Sequence, residues 1–268
     1  MKTILITGST DGIGKLAANK LAKDGCQIIL HGRNPQKLEK TISEVKQLSN
    51  NDNIQGYISD FSSIESIDKL ILQLQRDYAK IDVLINNAGV FKSSIQSNQQ
   101  GIDIRFAVNY FAPYYLTSGV LPLLKNSLSP RVINVSSAAQ SAISLEALLG
   151  KIKPTVQEAY AQSKLALTMW SFEFAKEHPE IITIAVNPGS LLNTKMANEA
   201  YGQHWSPATK GSDILYELST SDEYTGITGK YFDNDKGDPK GHFSEAHSDA
   251  YNQDRIDQLI SATRRYLG

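Results

Sequence analysis

Lys2-Thr-Ile-Leu-Ile-Thr-Gly-Ser-Thr-Asp-Gly-Ile-Gly14 packs an apolar strand, a glycine-rich turn and the opening of a helix into one short stretch. Gly8 permits the sharp turn, Gly12 lets backbone approach a pyrophosphate, and Gly14 allows a helix to close on a strand. The first turn of that helix offers N–H groups and a positive dipole end to phosphate. Tight glycine turns also occur for structural reasons alone, so the placement between strand and helix carries the nucleotide reading. Further apolar runs of strand length lie at 27–30, 54–58, 83–86, 132–136, 183–187 and 229–232. Most lack in/out alternation, which marks strands covered on both faces. Between them lie helix-length stretches at 12–24, 35–48, 62–78, 100–125 and 156–177. This series predicts an α/β chain, a three-layer Rossmann fold with a doubly wound, parallel seven-stranded sheet and helices on both faces. No linker or repeat interrupts it, so 1–268 reads as one domain, with 189–226 as a region lying over the substrate.

Composition narrows the function. Lys and Arg number 27 against 28 Asp and Glu, without a basic cluster, which argues against nucleic-acid and anionic-membrane partners. The single Cys26 rules out an internal disulfide and suits a reducing compartment, most simply the cytoplasm. The first strand starts beside Met1, and no apolar run reaches the roughly 20 residues of a membrane span. His178, His204, His242 and His247 sit at no metal-ligand spacing, so no metal is expected.

The chemistry sits in Tyr160-Ala-Gln-Ser-Lys164. Positions i and i+4 share a helix face, so phenol and ammonium point into the same space. An unperturbed phenol titrates near ~10, and a cation beside it favours phenolate. Ser136-Ser137 lies upstream. Pro113 leaves the Asn109 carbonyl without the N–H it would receive in a regular helix, which predicts a kink there. After the second strand, His31-Gly-Arg-Asn34 offers Arg33 and no carboxylate. Arginine there would pair a 2′-phosphate and a carboxylate a ribose hydroxyl, although Arg33 could equally be a solvated surface residue.

The Gly-x-x-x-Gly-x-Gly spacing, Asn86-Asn-Ala-Gly89, Ser137 and Tyr160-x-x-x-Lys164 together resemble the short-chain dehydrogenase/reductase family over about 2–190. Thr228-Gly-Lys-Tyr-Phe232 resembles its retinol-dehydrogenase-like branch. The resemblance implies an oxidoreductase that exchanges hydride between a nicotinamide and a carbonyl or secondary alcohol of an apolar small molecule. Tyr160 would move the proton, Lys164 would hold the nicotinamide ribose, Ser137 would bind the substrate oxygen, and Asn109 would complete a proton relay. Cofactor contacts would come from Gly8, Ser9, Thr10, Gly12, Ile13, Gly14, Arg33, Asp60, Phe61, Asn87, Ala88 and Gly89. Tyr160 and Lys164 would add to these, with Pro188, Gly189, Leu191 and Thr194 beside the nicotinamide. Arg33 favours NADP over NAD, Asp11 in the glycine turn speaks against it, and Asp60 could instead cap a helix. Thr194 lies one place later than the family pattern. The 138–159 stretch is longer than in compact relatives and reads as a flap, while 189–216, with Tyr201, Trp205 and Tyr216, reads as an apolar lid. Relatives often pair through their two long helices, so a homodimer is possible. The competing class is a non-catalytic dinucleotide-binding redox sensor, which could dispense with Tyr160, Lys164 and Ser137.

Overall fold

The computed structural model describes residues 1–237 and 239–268, without the side chain of Tyr201. Its centre is a sheet of strands β1 (Thr3–Ile6), β2 (Gln27–Gly32), β3 (Ile54–Ile58), β4 (Val83–Asn86), β5 (Arg131–Val135), β6 (Ile182–Asn187), β7 (Lys230–Asp233) and β8 (His242–Ser244). The order is β3-β2-β1-β4-β5-β6-β7-β8, parallel except for β8, which runs antiparallel to β7. The eighth strand departs from the expected seven. Its three residues carry no usable pattern, and it forms because Phe243 pairs with Phe232, their rings 5.3 Å apart.

The strands have few polar interruptions because both faces are covered. Ile4 and Ile6 face one core with helices α1 (Gly12–Lys23), α2 (Pro35–Ser49) and α9 (Ala208–Thr220). Leu5 faces the opposite core, shared with α3 (Ile64–Asp77), α5 (Ala112–Lys125) and α7 (Val156–Glu177). Alternate side chains point to opposite faces, so each strand serves both layers. At the centre, Asn86 Nδ2 donates to Asn134 Oδ1 (2.8 Å) and Thr117 Oγ1 (3.1 Å), and Asn134 Nδ2 donates to Ser171 Oγ (2.7 Å). This buried chain ties α5 and α7 across β4 and β5. The last helix, α10 (Gln253–Leu267), buries Ile256, Leu259 and Ile260, and its Thr263 hydroxyl bonds Tyr110 OH at 2.7 Å.

The irregularity expected at Pro113 takes the form of a widened turn just before it. Helix α4 (Ile104–Phe106) runs through a π turn (Ala107–Phe111) into α5, and the Ala112 N–H reaches back five residues to the Ala107 carbonyl. The extra residue shifts the hydrogen-bond ladder ahead of a proline that has no N–H to give.

Two other expectations change. The insert before Tyr160 is anchored: α6 (Leu145–Leu148) buries Ala147 and Leu148 in the core, and Ser144 N–H donates to Gln162 Oε1 (3.0 Å). It is therefore no free flap. Within 189–226, α9 is a core helix that packs Ile214, Leu215 and Leu218, so only α8 (Lys195–Tyr201) and its flanks stand over the edge of the sheet.

The connection order reverses at β1, between β2 and β4, and in open α/β sheets ligands bind in the crevice at such a point, beyond the strands' carboxyl ends. Gly14 sets how closely α1 seats on that edge: a Cβ on it would lie 2.3 Å from Asn87 Nδ2 and 2.9 Å from Gly8 O. Overpacking typically costs roughly 1–3 kcal/mol. Gly14→Ala should therefore lower the urea midpoint by that equivalent, and an unchanged midpoint would show that the crevice wall is not closely packed.

Candidate active site

The glycine turn and the Asn87–Gly89 turn lie side by side at the crevice. Thr7 Oγ1 accepts from the N–H groups of Asn87 and Ala88 (both 3.0 Å), and Asn87 Nδ2 donates to the carbonyls of Thr7 (2.9 Å) and Gly8 (3.0 Å). Gly8 has φ 63° and would drive a Cβ to 2.7 Å from Ala88 Cα, so only glycine fits. Gly12, with φ 55°, opens α1, where the Asp11 carboxylate caps the Gly12 N–H at 2.8 Å. Later first-turn N–H groups, including those of Ile13 and Gly14, lack intrahelical acceptors by construction and suit a phosphate.

His31 braces this end. Its Nδ1 accepts the Gly8 N–H (3.1 Å), which leaves the proton on Nε2 to donate to Ser59 O (3.0 Å), and its ring stacks on Phe61 at 4.1 Å. Ser9 Oγ accepts the His31 N–H at 2.9 Å. Thr10 lies against Gly32, where a Cβ would meet its methyl at 2.5 Å. Arg33 is exposed just past β2, with no ion pair among the described residues. Asp60 accepts from the Ser62 N–H and hydroxyl, whereas Ser63 caps α3. The arrangement fits a dinucleotide: a glycine cradle without room for side chains, a helix N-terminus, and an exposed guanidinium beyond it.

The catalytic candidates meet at the ends of β4 and β5. Lys164 is buried on α7, its Nζ donating to Val135 O at 2.8 Å and lying 5.6 Å from the Tyr160 ring centroid. Burial pushes the Lys164 ammonium down to about 8. A Cβ on Gly89 would lie 3.5 Å from Asn109 Oδ1 and 3.6 Å from Lys164 Nζ, which fixes how closely these three meet. Asn109 Oδ1 accepts the Val90 N–H (2.8 Å), and its Nδ2 donates to Val90 O (3.0 Å) and Ser163 Oγ (3.0 Å). Ser163 donates to Tyr160 O at 2.7 Å, so the Asn109 side chain links the π turn to α7. The Phe91 ring meets Tyr160 edge-on at 4.9 Å. Ser136 turns away, bonding Lys164 O and Thr168, while Ser137 follows β5 and is partly exposed. Ser137 O accepts from Tyr231 OH (3.0 Å) and Gln140 Nε2 (2.9 Å).

Pro188, Gly189 and Leu191 follow β6. Gly189 has φ 122°, and Leu191 takes the left-handed region at φ 44°, a conformation a branched residue holds only where its surroundings impose it. Thr194 caps α8, and its methyl would lie 3.8 Å from a Cβ on Gly12, so this segment closes over the glycine turn. Trp205 is exposed, and Tyr216 OH bonds Asp24. The Tyr201 side chain lies outside the described residues.

Thr7, His31, Ser163 and Tyr231 escaped the sequence reading because they act through backbone. His31 gave one signal, a polar residue ending an apolar strand.

A dinucleotide cradle beside a tyrosine–lysine pair defines an NAD(P)-dependent oxidoreductase site. Residues 2–204 match the short chain dehydrogenase family, and the chain belongs to it, within the retinol-dehydrogenase-like branch. Mouse retinol dehydrogenase 13 is 31% identical over 87% of this chain and 75% of its own length. Human polyprenol dehydrogenase is 29% identical over 100% of this chain and 85% of its own. The structure of a short chain dehydrogenase from Escherichia coli CFT073, complexed with NADPH, superposes with TM-score 0.73 at 26% identity, covering 87% of this chain and 95% of that one. No helix among the described residues is long and apolar enough to cross a membrane.

Burial pushes His31 down from the ordinary histidine value of 6.5 to about 4, against the raising effects of the Ser59 hydrogen bond and the Asp60 charge. Below pH 6.5 the unfolded chain takes up a proton that the folded chain refuses. The contribution of His31 is therefore complete above pH 6.5 and falls as pH drops toward 4, by roughly 3 kcal/mol in all. Urea unfolding at pH 7 and 4.5 should show a larger loss in wild type than in His31→Gln. Parallel losses would remove His31 from that role.

Proposed function

We propose that the chain is an NADPH-dependent reductase of carbonyl compounds, reversible as a dehydrogenase of secondary alcohols. The observation that carries this reading is the Lys164 ammonium, held on Val135 O beside the Tyr160 ring. A buried cation there favours phenolate and allows Tyr160 to exchange a proton with a substrate oxygen near neutral pH. Ser137 donates to the same oxygen as charge develops on it. Asn109 fixes α7 through Ser163, which keeps Tyr160 and Lys164 facing the crevice. Bound nicotinamide supplies the hydride; this chain's part is to hold and orient it and to move the proton.

Gly8, Ser9, Thr10, Gly12, Ile13 and Gly14 would hold the pyrophosphate side, and Asp60 and Phe61 the adenine. Asn87, Ala88 and Gly89 would line the middle, with Lys164 on the nicotinamide ribose. Pro188, Gly189, Leu191 and Thr194 would face the nicotinamide. Exposed Arg33 would pair a 2′-phosphate, and the NADPH-bound relative supports that choice. The substrate is a small molecule whose apolar part lies against Phe91. Next to it, one turn before Tyr160, a cleft of about 430 Å³ is lined by Lys92, Ser93, Ser94, Gln96, Arg105, Val156 and Glu199, which suits a polar far end.

Screening aldehydes and ketones for loss of NADPH absorbance tests the reading. Tyr160→Phe should lower turnover by about 10²–10⁴ with NADPH affinity nearly intact, because the ring's packing remains. Lys164→Ala should weaken both and move the pH–rate profile upward. Wild-type turnover in Tyr160→Phe would overturn the mechanism. Arg33→Ala should weaken NADPH binding by about 10- to 150-fold and leave NADH binding unchanged. Fluorescence titration measures this, and a wild-type preference for NADH would contradict it.

A further inference from the structure

We infer that Asp235 is a positioning residue that clamps the 188–190 turn from outside the crevice. This rests on the reading that the turn faces the nicotinamide. Asp235 lies just past β7, beyond the segment that matches the family. Its carboxylate accepts the Ser190 N–H at 2.9 and 3.0 Å, the Ser190 hydroxyl at 2.5 Å and Asn187 Nδ2 at 2.9 Å. Lys210 Nζ stands 3.9 Å away. Asn187 is shared: its Oδ1 accepts the Gly189 N–H (3.2 Å) while its Nδ2 also reaches Asp233 (2.8 Å).

The adjacent residue grips the same turn. Asn234, buried, donates from Nδ2 to Pro188 O (3.0 Å) and Lys210 O (3.2 Å), and its Oδ1 accepts the Gly241 N–H (3.0 Å). Gly241 must be glycine, because a Cβ there would lie 2.1 Å from Asp233 O. Asn234 and Asp235 therefore hold the 188–190 turn together.

The reason for the clamp lies in the turn itself. Gly189 at φ 122° and Leu191 at φ 44° hold conformations that isolated backbone rarely visits. Charge-assisted bonds from a carboxylate are stronger than neutral ones and suit such a segment. Without them the turn can relax, and a nicotinamide lying against it loses its seat while the adenine end, braced by His31, is untouched.

The test compares NADPH with 2′,5′-ADP, which lacks the nicotinamide half. Asp235→Ala should raise the NADPH Kd about 10-fold and leave that for 2′,5′-ADP within about 2-fold. Asp235→Asn, which keeps one acceptor oxygen, should fall between, and it serves if the alanine variant does not fold. Adding Ser190→Ala to Asp235→Ala should cost nothing more, because Asp235 acts through Ser190. Equal shifts for both ligands, or no shift for either, would overturn the clamp alone. A wild type that binds NADPH no more tightly than 2′,5′-ADP would overturn the nicotinamide reading of the turn and the clamp with it.

Discussion

A lysine ammonium buried on the carbonyl of Val135 organises the rest of the site. Moving such a charge out of water is costly unless oxygen atoms and π faces replace the solvent. Here the carbonyl ending β5 supplies one partner and the Tyr160 ring another, and burial still pushes the ammonium down to about 8. Helix α7 must therefore lie close along β5, at one height and rotation. Ser136, Asn134 and Asn109 hold it there through Thr168, Ser171 and Ser163. The proton chemistry proposed for Tyr160 depends on that fixed seating.

The sheet brings this pair beside the glycine turn. Reversal of strand order at β1 sets the glycine turn beside the Asn87–Gly89 turn, and Thr7 and Asn87 bond the two together. Gly89 then borders Asn109 and Lys164, so the proposed cofactor and proton-transfer residues lie against one another. The far end depends on later chain: Tyr231 holds the carbonyl of Ser137, and Asn234 and Asp235 hold the turn after β6. The C-terminal third thus braces a site whose motifs all lie earlier.

The sequence was most legible where one residue type alone satisfies the physics. Gly8 with its positive φ and Gly14 against Asn87 are such positions, and so is the Tyr160–Lys164 pair on a helix whose expected ends, 156 and 177, are those found. Strands buried on both faces were visible as continuous apolar runs. What stayed hidden was tertiary in origin. β8 exists because Phe243 finds Phe232, and three residues carry no period. The insert before Tyr160 read as a flap because the anchoring partners of Leu148 and Ser144 lie elsewhere in the chain. His31 and Asp235 bond backbone N–H groups, which leave no complementary residue type for a motif to record.

Direct hydride transfer from cofactor to carbonyl, with the proton supplied through Tyr160, is the central claim. NADPH carrying deuterium at C4, incubated with the enzyme and a reducible ketone, places it under the most direct test by mass spectrometry of the alcohol. The alcohol should carry deuterium on the carbinol carbon from one C4 face, and its rate of formation should fall by about 10²–10⁴ with Tyr160→Phe. Alcohol formed without deuterium from either C4 face, or formed equally fast by the two proteins, would contradict it.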